Sequence, residues 1–249
     1  MKKMKKVGII GCGAIGTLIA QACDNRTAEC DKLILFDYNS EKSKKLKESL
    51  QIQAETVKTV EEMIETRPSV IVEAASQQAV KEYVQQVLTR NIDFVIMSVG
   101  ALLDLNIKSS KIHVPSGAIG GLDAISSAAL AGIETVVLTT RKNPKVLNAK
   151  GKRETIIYEG TAEEAVRLFP KEMNVAATLA LTVRPARVKV QVVADPKTER
   201  NTHQIRVKWK YGEMFLEFSN DPHPENPGTS ALAAWSAVKL LKEILARSR

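Results

Sequence analysis

Gly11, Gly13 and Gly16 stand in G-x-G-x-x-G spacing, and Ala14 and Ile15 fill the gap before the last glycine. Such a turn needs a first glycine to bend sharply. It needs a second to let a pyrophosphate approach the main chain, and a third to let helix and strand pack closely. The N–H groups of the helix that follows then face an anion. Asp37 ends the next apolar run, about 20 residues beyond Gly16, where a carboxylate can accept from the hydroxyls of an adenosine ribose. A carboxylate there repels a 2′-phosphate, so NAD is the expected cofactor and NADP the alternative. Lys42, Lys44 and Lys45 are the cations near enough in sequence to receive such a phosphate. The plainer role for Asp37 is to cap the next helix.

Other residues could handle carboxylates and protons. Arg141 and Lys142 end a strand, and an arginine can hold a carboxylate in a two-pronged fork. Ser116, Gly120 and Gly121 lie in a second glycine-rich loop before a helix, able to bind a second carboxylate through hydroxyl and N–H donors. The same glycines could equally serve as a hinge. There are three histidines. His113 reads as a strand residue, His203 opens a strand, and His223 sits between prolines in Asp221-Pro222-His223-Pro224. A histidine titrates near neutrality and can take and return a proton. From the residues alone a lone histidine at a strand start is more often structural.

The elements that must position these groups follow an alternating pattern. Apolar runs at 7–10, 33–36, 54–57, 70–72, 94–97 and 111–114 read as strands. Helices are expected over 14–23, 40–50 (capped by Ser40), 59–66 (capped by Thr59) and 77–89. Only 101–110 looks too short for a full crossover helix. The segments Glu73-Ala74-Ala75-Ser76 and Ser98-Val99-Gly100 fall at the carboxyl ends of two strands. There Ala74, Ala75, Ser98 and Gly100 would line the crevice of a doubly wound sheet.

After 122–131 the character changes. Strands at 133–139, 155–158, 188–193, 203–209 and 214–218 mix with helices at 162–169 and 174–181. A last amphipathic helix, 230–246, presents Leu232, Trp235, Val238, Leu241 and Ile244 on its apolar face. The fold class expected is α/β, a doubly wound parallel sheet with an inserted α+β domain. The first domain would comprise 1–118 and 226–249, the inserted one 119–225.

Composition narrows the function. The chain has 249 residues, 44% hydrophobic and 26% charged, as globular proteins do. No apolar run is long enough for a membrane helix. The basic start leads into a glycine-broken strand, not a signal-peptide core, so a cytoplasmic location is expected. Cys12, Cys23 and Cys30 form neither a disulfide framework nor a metal-ligand pattern. The formal charge is +8, but the lysines are scattered and aromatics are 4%, which favours anionic small molecules over nucleic acid.

Several stretches together resemble the L-aspartate dehydrogenase family: 11–16, 73–80, Ser-Gly-Ala-Ile-Gly-Gly-Leu-Asp-Ala at 116–124, Thr-Thr-Arg-Lys at 139–142, Phe-Pro-Lys-Glu-Met-Asn-Val-Ala-Ala-Thr-Leu at 169–179, and Glu-Asn-Pro-x-Thr-Ser at 225–230. The resemblance runs from about residue 5 to the last helix. It implies a Rossmann domain with an inserted catalytic domain, similar to dihydrodipicolinate reductase, and a homodimer. It also implies NAD(P)-dependent interconversion of L-aspartate with oxaloacetate and ammonia through iminoaspartate, which can feed NAD biosynthesis. By motif match, Ala118 and Asn174 fall at cofactor contacts and His203 at the catalytic histidine. Without the resemblance, Asn174 could be a helix cap. Two alternatives are a related reductase of another imine or keto acid and a protein that senses NAD without turnover.

Overall fold

The computed structural model describes residues 4–105, 107–147, 149, 153–223 and 226–247. Met1–Lys3 of the basic start, Pro224 after His223, and Glu225 of the 225–230 pattern lie outside the described residues. Two compact units are present, Met1–Pro115 with Ala234–Arg249, and Ser116–Ala233.

The first unit alternates strand and helix: β1 (Lys6–Ile10), α1 (Ala14–Asp24), β2 (Lys32–Phe36), α2 (Ser40–Glu48), β3 (Ala54–Thr56), α3 (Val60–Glu65), β4 (Val70–Glu73), α4 (Gln77–Thr89), β5 (Asp93–Ile96), α5 (Ala101–Asp104) and β6 (Ile112–His113). The sheet runs β3-β2-β1-β4-β5-β6, all parallel. Val7, Ile9, Leu33, Ile34, Val70 and Ile71 are fully buried, each burial stabilising by roughly 1.5–3 kcal/mol. The chain reverses direction of travel between β1 and β4, so the crevice of this sheet opens at their carboxyl ends. The crossover helix α5 is one turn long.

One cap differs from expectation. Asn39, not Ser40, caps α2, because its side chain accepts from the N–H of Glu41 at 3.1 Å. Thr59 caps α3, accepting from the N–H of Glu62. The final helix, α9 (Ala231–Arg247), buries Ala234, Ala237, Val238, Leu241, Ile244 and Leu245. Leu232 and Trp235 stay 38% and 44% exposed, so the apolar face is rotated towards the small alanines.

The second unit contains α6 (Leu122–Ala131), β7 (Ile133–Lys142), β8 (Thr155–Thr161), α7 (Ala162–Leu168), α8 (Asn174–Val183), β9 (Val188–Ala194), β10 (Asn201–Trp209), β11 (Gly212–Asn220), β12 (Pro222–His223) and β13 (Asn226–Ser230). Its five-stranded sheet runs β11-β10-β7-β9-β8. β7 and β9 are parallel; the other neighbours are antiparallel. Because β13 pairs with β12, residues 226–230 stay with this unit, and the chain returns to the first unit later than the expected 226. The unit likewise begins at Ser116, not at 119.

One face of this sheet carries the core. Side chains alternate across a strand, so Val136, Leu138, Thr140 and Lys142 of β7 share a face, and all four are buried. On β10 the same face holds Asn201, His203, Ile205 and Val207, also buried. The face is apolar at one end and polar at the other.

Candidate functional site

In the first unit the site is made of main chain. Gly11 has φ +94°, and a Cβ on it would fall 2.7 Å from the Ala74 carbonyl oxygen. Its N–H donates to the Phe36 carbonyl at 2.8 Å, bending the chain out of β1. A Cβ on Gly16 would strike the Gly11 carbonyl, so only glycine lets α1 pack here. Around Gly13 a Cβ would meet nothing within 4 Å. Gly13 is also the N-cap of α1, and no side chain occupies the cap. The N–H groups of Ala14, Ile15 and Gly16 therefore begin a helix with no acidic residue in its first turn. The open cradle at Gly13 fits a pyrophosphate.

Asp37 stands beside this turn. Its Oδ2 accepts from the N–H of Cys12 at 2.8 Å and its Oδ1 from the N–H of Asn39 at 2.9 Å. Both oxygens are oriented by the main chain, and each keeps a lone pair for a ribose hydroxyl. A hollow of about 600 Å³ opens next to it, with Tyr38, Val57, Thr59 and Tyr83 in its wall, ample for an adenosine end. Of the three lysines weighed for a 2′-phosphate, Lys44 is paired with Glu41 at 2.8 Å. Burial, then the Asp37 charge, push the Cys12 thiol up to about 12, so it is no nucleophile. Ala74 and Ala75 follow β4, and Ser98 and Gly100 follow β5, all at the carboxyl edge. His113 is tied to Asp93 at 2.7 Å, a strand residue as expected.

In the second unit the site is made of side chains. His203 is 3% exposed, and its Nδ1 lies 3.1 Å from the Thr140 hydroxyl, its cross-strand neighbour. That contact fixes the ring and leaves Nε2 for chemistry. Burial first, then the positive charge of Lys142, push its pKa down to about 3. The imidazole is thus neutral throughout the physiological range.

Lys142 is 2% exposed on the same face. Burial lowers its pKa to about 8, against an opposing pull from Glu172. Its Nζ donates to the Gly228 carbonyl at 2.8 Å. An ammonium has three donors, and a buried one favours an incoming carboxylate. Asn201 Nδ2 donates to the Pro227 carbonyl at 3.0 Å, so β13 is held over the polar end of the sheet by two side chains. Ser230, on the same strand, is buried with a hydroxyl that has no partner among the described residues.

Arg141 does not join this group. β7 runs to Lys142, further than the expected 133–139, so Arg141 is within the strand and faces the opposite side, beside Thr202. Its guanidinium pairs with Glu154 at 2.9 Å and Asp195 at 3.1 Å. Both features set it apart from His203 and Lys142, against the expectation that it clamps substrate beside Lys142.

The glycine-rich loop packs near His203. A Cβ on Gly120 would sit 3.3 Å from the ring of Phe218, and Phe218 is the direct partner of His203 across β10 and β11. Gly121 has φ +68°, and a Cβ there would strike Leu216. Gly121 is thus demanded by its backbone and by packing on β11, while at Gly120 a side chain would crowd Phe218; Gly121 is also the uncapped N-terminus of α6. Ser116 is half-buried at the loop start, and the Ala118 carbonyl accepts from Asn220 Nδ2. Asn174 is the first residue of α8; Met173 holds the cap position and no side chain caps the helix, which removes the plain capping role for Asn174. His223 lies on β12, paired with Asn226.

Known families match the chain along most of its length. Residues 123–244 match the family model described as aspartate dehydrogenase, C-terminal. Residues 11–112 match the one described as homoserine dehydrogenase, NAD binding domain. An L-aspartate dehydrogenase from Methanosarcina mazei is 40% identical over 97% of each chain, and one from Nitrosopumilus maritimus is 38% identical over 96% of each. The chain belongs to the L-aspartate dehydrogenase family. The crystal structure of aspartate dehydrogenase from Thermotoga maritima, 30% identical over 97% of each chain, superposes with a TM-score of 0.75. The first unit is accordingly an NAD(P)-binding Rossmann domain.

Thr140 and Phe218 flank His203, and Asn201 and Ser230 lie at the same polar end of the sheet, yet sequence reading assigned them no role. Asn201 and His203 share the i, i+2 spacing that puts both on one face of a strand, a signal that was available. Thr140 and Phe218 had none, because only strand pairing makes them neighbours of His203.

Proposed function

We propose that the protein is an NAD(P)-dependent L-aspartate dehydrogenase. It removes the amino group of L-aspartate oxidatively, through iminoaspartate and addition of water, to give oxaloacetate and ammonia, or runs the reverse. The observation that carries this reading is the buried polar end of the second sheet, where a neutral histidine and a lysine share one face. Bound nicotinamide supplies the hydride acceptor.

The chain's own groups divide the remaining work. The Lys142 ammonium takes one substrate carboxylate, and Ser116 with the N–H groups at Gly120 and Gly121 takes the other. His203 Nε2 accepts a proton from the water that adds to the imine carbon and returns it to the departing amine. Two carboxylates arriving beside His203 raise its proton affinity from its low resting value into a working range. Asp37 orients the ribose, and Ala118 and Asn174 hold the nicotinamide end. The preference is for NAD over NADP.

A homodimer in the cytoplasm, supplying iminoaspartate for NAD biosynthesis, completes the reading. No helix among the described residues is long and apolar enough to cross a membrane.

The test is NADH and NADPH formation by purified protein with a panel of L-amino acids. Turnover confined to L-aspartate is expected. Cofactor binding without turnover of any amino acid would instead favour another imine or keto acid, or a sensor.

A further inference from the structure

Glu73 closes β4 and is 0% exposed, yet none of the roles above uses it. A carboxylate at the end of a buried strand is costly unless its oxygens are filled. Here they are filled entirely by two loops. Oε1 accepts from the N–H of Ala75 at 2.7 Å, the N–H of Ser76 at 2.8 Å and the hydroxyl of Ser98 at 2.8 Å. Oε2 accepts from the N–H of Ser98 at 3.0 Å. One side chain therefore joins the turn after β4 to the end of β5.

That turn is also the piece that touches the glycine cradle. The missing Cβ of Gly11 is what allows the Ala74 carbonyl and Ala75 Cα to come close, at 2.7 and 2.9 Å from where it would be. The Ala74 N–H donates to the Ile10 carbonyl at 2.8 Å, binding the turn to the end of β1. Ser76, held by Glu73, in turn caps α4 through the N–H of Ala79 at 3.2 Å. The two walls of the crevice, 74–76 and 97–98, thus meet at one buried carboxylate.

We infer that Glu73 is a positioning residue for the dinucleotide: its carboxylate yokes the turn after β4 to Ser98 and so sets the spacing of the crevice walls. The inference rests on the dinucleotide reading of that crevice. Glu73 itself touches no ligand. Its effect passes through four donors that only a carboxylate can accept together.

The decisive variant is Glu73→Gln. Its amide oxygen can keep the three contacts of Oε1, but its amide nitrogen meets the Ser98 N–H, donor against donor, and frees the 97–98 wall. The dissociation constant for NADH, read by fluorescence titration, is expected to rise about tenfold, as for loss of a charge-assisted bond. The KM for NAD should rise with it while kcat falls less than about threefold, and the Ser98 amide should exchange faster with solvent. Ser98→Ala deletes one bond of the same clamp without adding a group, and should weaken NADH about threefold. It carries the test if Glu73→Gln does not fold. A lowered melting temperature with NADH affinity within about twofold of wild type, in whichever variants fold, would overturn the inference and leave Glu73 merely structural. Failure of the wild type to bind NADH would instead overturn the dinucleotide reading and this inference with it.

Discussion

The crevice of the first unit and the polar sheet end of the second are built from opposite materials. At Gly11–Gly16 the working parts are N–H groups and the space left by absent side chains. At His203 and Lys142 they are long side chains taken out of water. Main chain is neutral, so the first site holds an anion without paying desolvation for a charge of its own. The second keeps a histidine uncharged and a lysine with lowered proton affinity by burial, a poised state that a dicarboxylate would relieve. A cofactor that all such domains share suits the first kind of site, and a proton-transfer step suits the second.

The largest test of that division is His203→Ala. Turnover should fall at least about a hundredfold, the scale of a lost acid–base group, while NADH affinity stays as in wild type. A parallel loss of both would mean the two sites are not functionally separate.

Next comes Lys142→Met, which keeps most of the length of the side chain and removes its charge. The inhibition constant of succinate, which has two carboxylates and no amine, should rise about tenfold or more. The sign with pH follows from a lysine whose free-enzyme pKa is lowered to about 8. The ammonium is present below that value and lost above it, so succinate should bind progressively more weakly as pH rises through about 8. In Lys142→Met that dependence should vanish. Arg141→Ala is the control, since its pairs with Glu154 and Asp195 are partly exposed and lie on the other face. It should change succinate binding little and stability by no more than about 1 kcal/mol. A larger effect on succinate than that of Lys142→Met would restore Arg141 as the clamp.

The smallest effect expected sharpens the first site alone. Asp37→Ala should weaken NAD several-fold, about the worth of one or two ribose hydrogen bonds, and weaken NADP less. Equal losses for both cofactors would leave Asp37 only its contacts to the N–H groups of Cys12 and Asn39.

Local chemistry made much of the first unit readable. The glycine spacing, the apolar runs of β1, β2, β4 and β5, and the short crossover at α5 each follow from neighbours in the chain. Small slips came from equally local competition: Asn39 took the cap from Ser40, and Ala234 and Ala237 turned Trp235 outwards. In the second unit, Lys142 and Arg141 looked alike as adjacent cations, and only strand pairing separates them. β7 extends just far enough to set Lys142 among the buried residues and Arg141 against two carboxylates.

The sequence by itself determined the dinucleotide turn, the alternation of the first sheet and the family, because each is written in contiguous residues whose main-chain conformations are set locally. Only the tertiary structure decided which side chains accompany His203, that Glu73 joins two walls, and that Arg141 faces away from His203 toward Glu154 and Asp195. Those facts depend on pairing between segments distant in the chain: a one-residue shift of β7 or β10 would send that strand's side chains to the other face, and Glu73 meets Ser98 only because β4 lies beside β5.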